Sequence, residues 1–297
     1  MHKDMIPADC HTHSLLSPDG HDEPMIMAAR ACGLGIRHFA ITDHIEIDKL
    51  DEWDYAGALE KSFAAFAEIK ERFAGKMNVY YGAELGQPLY GLPRAEEILA
   101  RYDFDFVLGS QHRTKSYPYL DKVPNTPEDR RRCLDEYFEE ELALAEYGRF
   151  CSLSHLTFPL RFLALHEGAQ GAPLFTRDME RYRTIIDKIF ETIISKGIAL
   201  EVNSAGIRKG LGVPMPAAEY IARYRALGGR LVTIGSDAHY ERDVGADIPQ
   251  CLEMIRGAGF SQICVFSKKE PIFIDISDRR KPPYGVFDGG IRTARTV

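Results

Sequence analysis

The stretch Met5-Ile-Pro-Ala-Asp9-Cys-His11-Thr-His13-Ser decides how this chain reads. It opens as a short apolar strand and ends on two histidines one residue apart. Side chains on an extended backbone alternate with a period of two, so His11 and His13 point the same way and can grip one cation. The same punctuation recurs downstream. A buried strand, His38-Phe-Ala-Ile-Thr42, ends on Asp43-His44, and Val79-Tyr-Tyr-Gly-Ala83 ends on Glu84. Phe104-Asp-Phe-Val-Leu108 runs into Gly109-Ser-Gln-His112, Phe150-Cys-Ser-Leu-Ser154 ends on His155, and Ile198-Ala-Leu-Glu-Val202 ends on Asn203. Arg230-Leu-Val-Thr-Ile234 ends on Gly-Ser-Asp237-Ala-His239.

Helical stretches separate these strands. Residues 25–32 are good helix formers stopped by Gly33 and Gly35, and helices are expected over about 56–73, 128–147 and 178–196. Strand and helix in alternation imply a parallel sheet with right-handed crossovers. A closed barrel opens every strand's C-terminal end on one face, whereas a doubly wound sheet spreads them along a crevice. Polar residues after so many strand ends favour the barrel. A strand pair over 262–276, turning near Lys268 to Pro271, is expected to cover one opening. One barrel domain over 1–277 is read, followed by a basic, Gly- and Pro-rich tail over 278–297 that is mobile or docked at an interface and carries no chemistry.

With 297 residues, 45% hydrophobic and 27% charged, the chain can bury a large α/β core. A net charge of -7 argues against a general binder of nucleic-acid backbones. The 6 cysteines lack C-x-x-C spacing and read as buried free thiols. Neither a signal peptide nor an apolar run of membrane-spanning length is present, so the reading is cytoplasmic, without a membrane partner. Oligomeric state is left open.

Six histidines (His11, His13, His44, His112, His155, His239) and three acids (Asp19, Glu84, Asp237) are candidate ligands. Imidazole with carboxylate suits zinc, iron or manganese, and the lack of nearby thiolate disfavours a closed structural zinc site. Nine ligands exceed the needs of one ion, so two to three divalent transition-metal ions sharing a carboxylate are expected. Asp9 and Asp43, next to ligand histidines, either accept a far ring N–H or make rim hydrogen bonds. Arg161 follows His155 by six residues and Arg208 follows Asn203 by five, on loops over the same barrel face, where a planar guanidinium fork could take an anion; Arg113, next to His112, is a weaker candidate. Arg130-Arg-Arg132, flanked by Glu128, Asp129, Asp135 and Glu136, reads as a salt-bridged, solvated face.

The ordered set Asp9-Cys-His-Thr-His13-Ser, Thr42-Asp-His44, Gly82-Ala-Glu84, Gly109-Ser-Gln-His112, Ser154-His155 and Gly235-Ser-Asp-Ala-His239 resembles the motifs of the PHP (polymerase and histidinol phosphatase) superfamily. Glu201-Val-Asn-Ser-Ala-Gly-Ile-Arg-Lys209 is similar to its histidinol-phosphate phosphatase branch. The resemblance implies a distorted (β/α)7 TIM-like barrel with a trinuclear site. His11, His13, Glu84 and Asp237 would take the first ion, and Glu84 would bridge to a second held by His112 and His155. Asp19, His44 and His239 would take the third. Asp19 stands where histidine is common in that branch; a carboxylate still binds a hard ion, with a shifted metal preference. His21 reads as a solvated loop residue.

The resemblance further implies a phosphomonoesterase that hydrolyses L-histidinol phosphate with hydroxide generated at the metals, Asp237 or His239 supplying the leaving group's proton. Loops over 85–92 and 114–121 are candidates for the wall around the organic cation. The competing readings are another small phosphomonoester, a nucleotide or oligonucleotide phosphodiester, a deaminase-like hydrolase needing fewer ligands, and a non-catalytic barrel. The last should have lost ligands, yet all nine positions are filled.

Overall fold

The computed structural model describes residues 6–165 and 179–277. The expected tail over 278–297 lies outside the described residues. Strands β1 (Ala8–Asp9), β2 (His38–Ile41), β4 (Asn78–Gly86), β5 (Phe106–Ser110), β6 (Ser152–Leu153), β7 (Ala199–Asn203) and β8 (Val232–Gly235) pair in that order, all parallel. β3 (His44–Glu46) resumes the direction of β2 after a two-residue break and pairs with β4, His44 opposite Glu84. The result is a mostly parallel sheet nearly closed into a barrel of seven strands.

Closure falls between β1 and β8. Cys10 N–H donates to Ile234 O (2.9 Å), Asp237 N–H to His11 O (2.7 Å) and His13 N–H to Ala238 O (2.8 Å). This seam requires Gly235, because a Cβ there would lie 2.2 Å from the Cβ of His11. The seam therefore brings the two ends of the ligand series, His11-Thr-His13 and Asp237-Ala-His239, side by side.

Helices form where the expected caps allow. Helix α1 (Pro24–Gly33) begins on proline, and α2 (Tyr55–Arg72) is capped by Asp54, whose carboxylate accepts from Gly57 N–H (2.9 Å). Helix α3 spans Leu92–Arg101. Helix α4 (Pro127–Tyr147) starts under the hydroxyl of Thr126, which accepts from Asp129 N–H (3.0 Å), and stops at Gly148. With φ at 66°, Gly148 sits in the left-handed region and its N–H returns to Leu144 O. Helices α5 (Leu160–Leu165), α6 (Arg183–Lys196), α7 (Ala218–Ala226) and α8 (Ile248–Gly257) complete the layer. Their apolar faces meet the strands in one continuous core that includes Phe39, Phe106, Phe138, Phe190 and Ile255.

The hairpin of β9 (Gln262–Ser267) and β10 (Glu270–Asp275) turns through Lys268 and Lys269, both at positive φ. Its turn is fastened to the start of β5: Lys269 N–H donates to Asp105 O (2.8 Å) and Lys268 N–H to Asp105 Oδ1 (2.9 Å). The Cys264 thiol donates to Val232 O at the start of β8. The hairpin thus packs at the N-terminal ends of the strands and leaves the C-terminal ends open. Among the described residues no helix is long and apolar enough to cross a membrane.

Candidate metal centre

All nine residues singled out as ligands converge at the C-terminal ends of the strands. His11 and His13 leave β1, His44 opens β3, Glu84 lies within β4, His112 follows β5, His155 follows β6, and Asp237 and His239 follow β8. Asp19 comes from the loop after His13.

The inner group joins His11, His13 and Asp237 to one oxygen of Glu84. His11 Nε2 lies 3.1 Å from His13 Nε2 and 3.3 Å from Glu84 Oε2, while His13 Nε2 lies 3.4 Å from Glu84 Oε2 and 3.5 Å from Asp237 Oδ1. Ligand atoms about 2.0–2.1 Å from a tetrahedral ion stand roughly 3.3 Å apart, so the spacing matches a cation cage. The second group uses the other oxygen. Glu84 Oε1 lies 2.8 Å from His155 Nε2 and 3.0 Å from His112 Nε2, and these two nitrogens are 3.2 Å apart. A carboxylate whose two oxygens each face a separate pair of imidazoles has the geometry of a bridge.

The third corner lies at the surface. Asp19 Oδ2 is 3.0 Å from His239 Nε2, and Oδ1 is 3.5 Å from His44 Nε2. The ring of His13 packs between His44 and His239, with centroids 4.2 and 4.3 Å away. His21 stacks instead on Tyr240, with ring planes 8° apart.

Two buried carboxylates that sequence reasoning passed over orient the imidazoles. His11 donates from Nδ1 to Glu201 Oε1 (2.6 Å), and His112 donates from Nδ1 to Glu46 Oε1 (2.6 Å). Each bond selects the tautomer that leaves an Nε2 lone pair facing the cluster. The other oxygen of Glu201 accepts the backbone N–H of His155 (2.8 Å), tying the first group to the second. Asp9 and Asp43 take the alternative role. Asp9 accepts from Ser236 N–H, Ser236 Oγ and Gly245 N–H, and Asp43 from the N–H and Oγ of Ser14. Both are rim bonds that shape the ligand loops, and burial pushes the Asp43 carboxyl up to about 6.

The electrostatics ask for positive charge. Burial opposes ionisation of Glu84, yet His11, His112 and His44 hold its carboxyl well below the usual range. Asp237 is likewise held low against burial, by Lys209 and by His13. Burial opposes the charged form of His112, but Glu46 and Glu84 raise its pKa to about 9. By contrast His13 is driven well down, by burial and then by its neighbours His44 and His239. Two buried atoms, Glu84 Oε2 and His44 Nδ1, have no hydrogen-bond partner among the described residues although they lie 2.9 Å apart. A buried acceptor is not left in this state without cost, and divalent cations supply what the O/N donor set lacks. Four groups of these side chains, including Glu84 with His112 and His155, have ligand atoms close enough to hold a metal ion.

The three candidate arginines separate. Arg161, on α5, stacks its guanidinium over Phe158 and Phe162 (5.1 and 4.7 Å to the centroids), and Phe158 in turn packs on His112 and His155. Arg208 follows β7 and donates to the carbonyls of Ser236 (2.5 Å) and Asp237 (3.1 Å). Its buried Nη1 has no partner among the described residues. Arg113 is held by acids: its Nη2 donates to Glu46 Oε2 (2.6 Å) and its Nη1 to Asp48 Oδ2 (3.3 Å). The loops over 85–92 and 114–121 meet at Glu140, which accepts from Tyr90 Oη (2.6 Å), Gln111 Nε2 and Lys115 N–H.

Comparison with known proteins agrees with this geometry. The family model described as PHP domain matches residues 9–205. The chain is 31% identical over 263 residues to the probable histidinol-phosphatase of Thermotoga maritima, spanning 88% of this chain and 96% of that protein. It is 23% identical to the histidinol-phosphatase of Lactococcus lactis, over 89% and 95% of the two chains. The crystal structure of the Lactococcus lactis histidinol phosphate phosphatase, complexed with zinc, L-histidinol and phosphate, superposes with a TM-score of 0.71 at 20% identity, covering 90% of this chain and 98% of that one. A putative histidinol phosphatase from Listeria monocytogenes gives 0.68 at 18% identity, covering 82% and 99%. At these identities the structural likeness speaks for the fold, and the sequence matches speak for descent: the chain belongs to the PHP domain family, in its histidinol-phosphatase branch.

Proposed function

We propose that this protein is a metal-dependent phosphomonoesterase that hydrolyses L-histidinol phosphate to L-histidinol and phosphate. The observation that carries the reading is Glu84, whose two oxygens face His11 and His13 on one side and His112 and His155 on the other. In this reading His11, His13 and Asp237 hold one ion with Glu84, His112 and His155 a second with Glu84, and Asp19, His44 and His239 a third. Two to three zinc, iron or manganese ions fit this donor set. Such ions, when bound, supply Lewis acidity that yields hydroxide from water near neutral pH and neutralises phosphate oxygens.

The chain's own residues position the substrate and manage its proton. Arg208 offers a buried, unpartnered N–H, and Arg161 presents a planar fork braced by two aromatic rings; both suit pairs of phosphate oxygens. Of the two groups at the edge of the cluster, His239 is the better candidate to protonate the departing alkoxide, because Lys209 and His13 hold the Asp237 carboxyl in its ionised form. The substrate's identity is drawn from the relatives named probable histidinol-phosphatase in Thermotoga maritima and Clostridium acetobutylicum.

Metal analysis of the purified protein should return two to three transition ions per chain, and phosphate release should be faster from L-histidinol phosphate than from other small phosphomonoesters or a dinucleotide. A dinucleotide turned over equally well would replace this reading with the phosphodiesterase one.

A further inference from the structure

After β7 the chain makes a kinked turn over Ile207–Leu211, where Lys209 and Gly210 leave helical geometry and Gly210 has φ at 97°. Here the turn sends Arg208 to the Ser236 and Asp237 carbonyls and lets Lys209 approach the Asp237 carboxylate. The approach is loose: Lys209 Nζ stands 3.8 Å from Asp237 Oδ2, beyond hydrogen-bond reach. Meanwhile Asp237 Oδ1 is turned to His13, 3.5 Å away.

Charge at this corner does not balance. Arg161, Arg208 and Lys209 lie near enough to influence one another, and Arg161 and Lys209 also both feel Asp237 and Asp19. Yet among the described residues neither Arg161 nor Arg208 makes an ion pair. Three cations share what Asp237 can spare, and the buried Nη1 of Arg208 has no partner.

We propose that Lys209 is a third phosphate-binding cation, which exchanges its loose contact with Asp237 for an oxygen of the substrate's phosphoryl group and holds that group together with Arg161 and Arg208. This rests on the phosphomonoesterase reading and extends it to a residue outside the metal ligands and the two arginines. An ammonium is a compact charge on a flexible stem, so it can swing from carboxylate to phosphate without disturbing the arginine forks.

The test is calorimetric titration of inorganic phosphate into the metal-loaded wild type, Lys209→Met and Lys209→Arg, with metal content and KM measured alongside. Lys209→Met should bind phosphate about tenfold more weakly, near 1.4 kcal/mol, and raise KM by a similar factor with unchanged metal content. Lys209→Arg should restore most of the loss. Phosphate affinity equal to wild type in Lys209→Met would overturn the proposal. So would loss of an ion in that variant, since Lys209 would then be holding Asp237 in place and not phosphate. A wild type that neither binds phosphate nor releases it from any phosphomonoester would instead overturn the function beneath it.

Discussion

Within the histidine cluster, the side facing the barrel is sealed and the side facing the loop after β1 is not. Glu84 has no exposed surface, and the carboxylates behind it, Glu201 and Glu46, are buried. At the outer corner the Asp19 side chain is 55% exposed, and the far nitrogen of His239 donates to a backbone carbonyl, Asp237 O (3.0 Å). Inner ligands are thus aimed by buried acids on rigid strands. The outer one is aimed by a loop that closes on itself through Leu15 N–H to Asp22 O (2.7 Å) and docks through His21 N–H to His239 O (3.0 Å). The contrast teaches that, if ions bind as proposed, two of them would sit in a site built into the fold and a third would be completed by an exposed loop ligand.

The strongest way to break this contrast is to remove the shared carboxylate. Glu84→Gln keeps the shape of the side chain but offers one carbonyl oxygen where two carboxylate oxygens stood. Both inner groups lose a charged ligand, so activity should fall by about 1000-fold or more, and metal analysis should show at least one ion gone. Retention of the full metal complement would mean that the two groups do not share Glu84.

A smaller effect is expected one layer back. Glu201→Gln removes the charge that fixes the His11 tautomer but can still accept one hydrogen bond. Metal affinity should fall between about 10- and 100-fold while the barrel stays folded, as titration with a competing chelator would show. If affinity is unchanged, burial alone aims His11, and the sealed side owes its rigidity to packing.

The two layers also differ in how legible they are in the chain. The direct ligands other than Asp19 stand out because they follow apolar runs, and the barrel reading follows from seven such runs separated by helical stretches. Glu201 sits inside one of those runs, Ile198-Ala-Leu-Glu-Val202, where it is hidden as one more strand residue. An acid in the middle of a buried strand must find a partner, and that rule was the available signal. Glu46 is hidden for another reason: the apolar run ends at Thr42, whereas the backbone breaks for two residues and resumes as β3. Nothing in linear order marks Lys209, because the kink at Lys209 and Gly210 shows only in the folded chain. Asp9 could not be assigned because its partners, Ser236 and Gly245, lie across the closure seam, 227 and 236 residues away. Helices α3 and α8 each carry a proline in the first turn, where its missing N–H costs nothing.

At the outer corner the expected loss is narrower. Asp19→Asn keeps the side chain's size and the loop's backbone bonds but removes the charge facing His44 and His239. One ion should be lost or exchange more readily, with activity down about tenfold and the other ions retained under the same chelator. Equal loss of all ions would show that the outer corner is as integral to the fold as the inner face.

The smallest effect on phosphate recognition should come from Arg113, and it sharpens the contrast from the substrate's side. Arg161 and Arg208 have no acidic partner among the described residues, whereas Arg113 already spends its guanidinium on Glu46 and Asp48. Glu46 in turn holds His112, so Arg113 acts on the cluster through a carboxylate and not on the substrate. Arg113→Met should therefore leave KM within about threefold of wild type, less than 1 kcal/mol. Meanwhile Glu46 loses a charged donor in a buried place, and stability should fall by about 1–3 kcal/mol in denaturant unfolding. Arg161→Ala should do the reverse, raising KM with the metal content intact. If Arg113→Met raised KM as much as Arg161→Ala, the guanidinium would have to leave Glu46 when substrate arrives, and the sealed side would open during turnover.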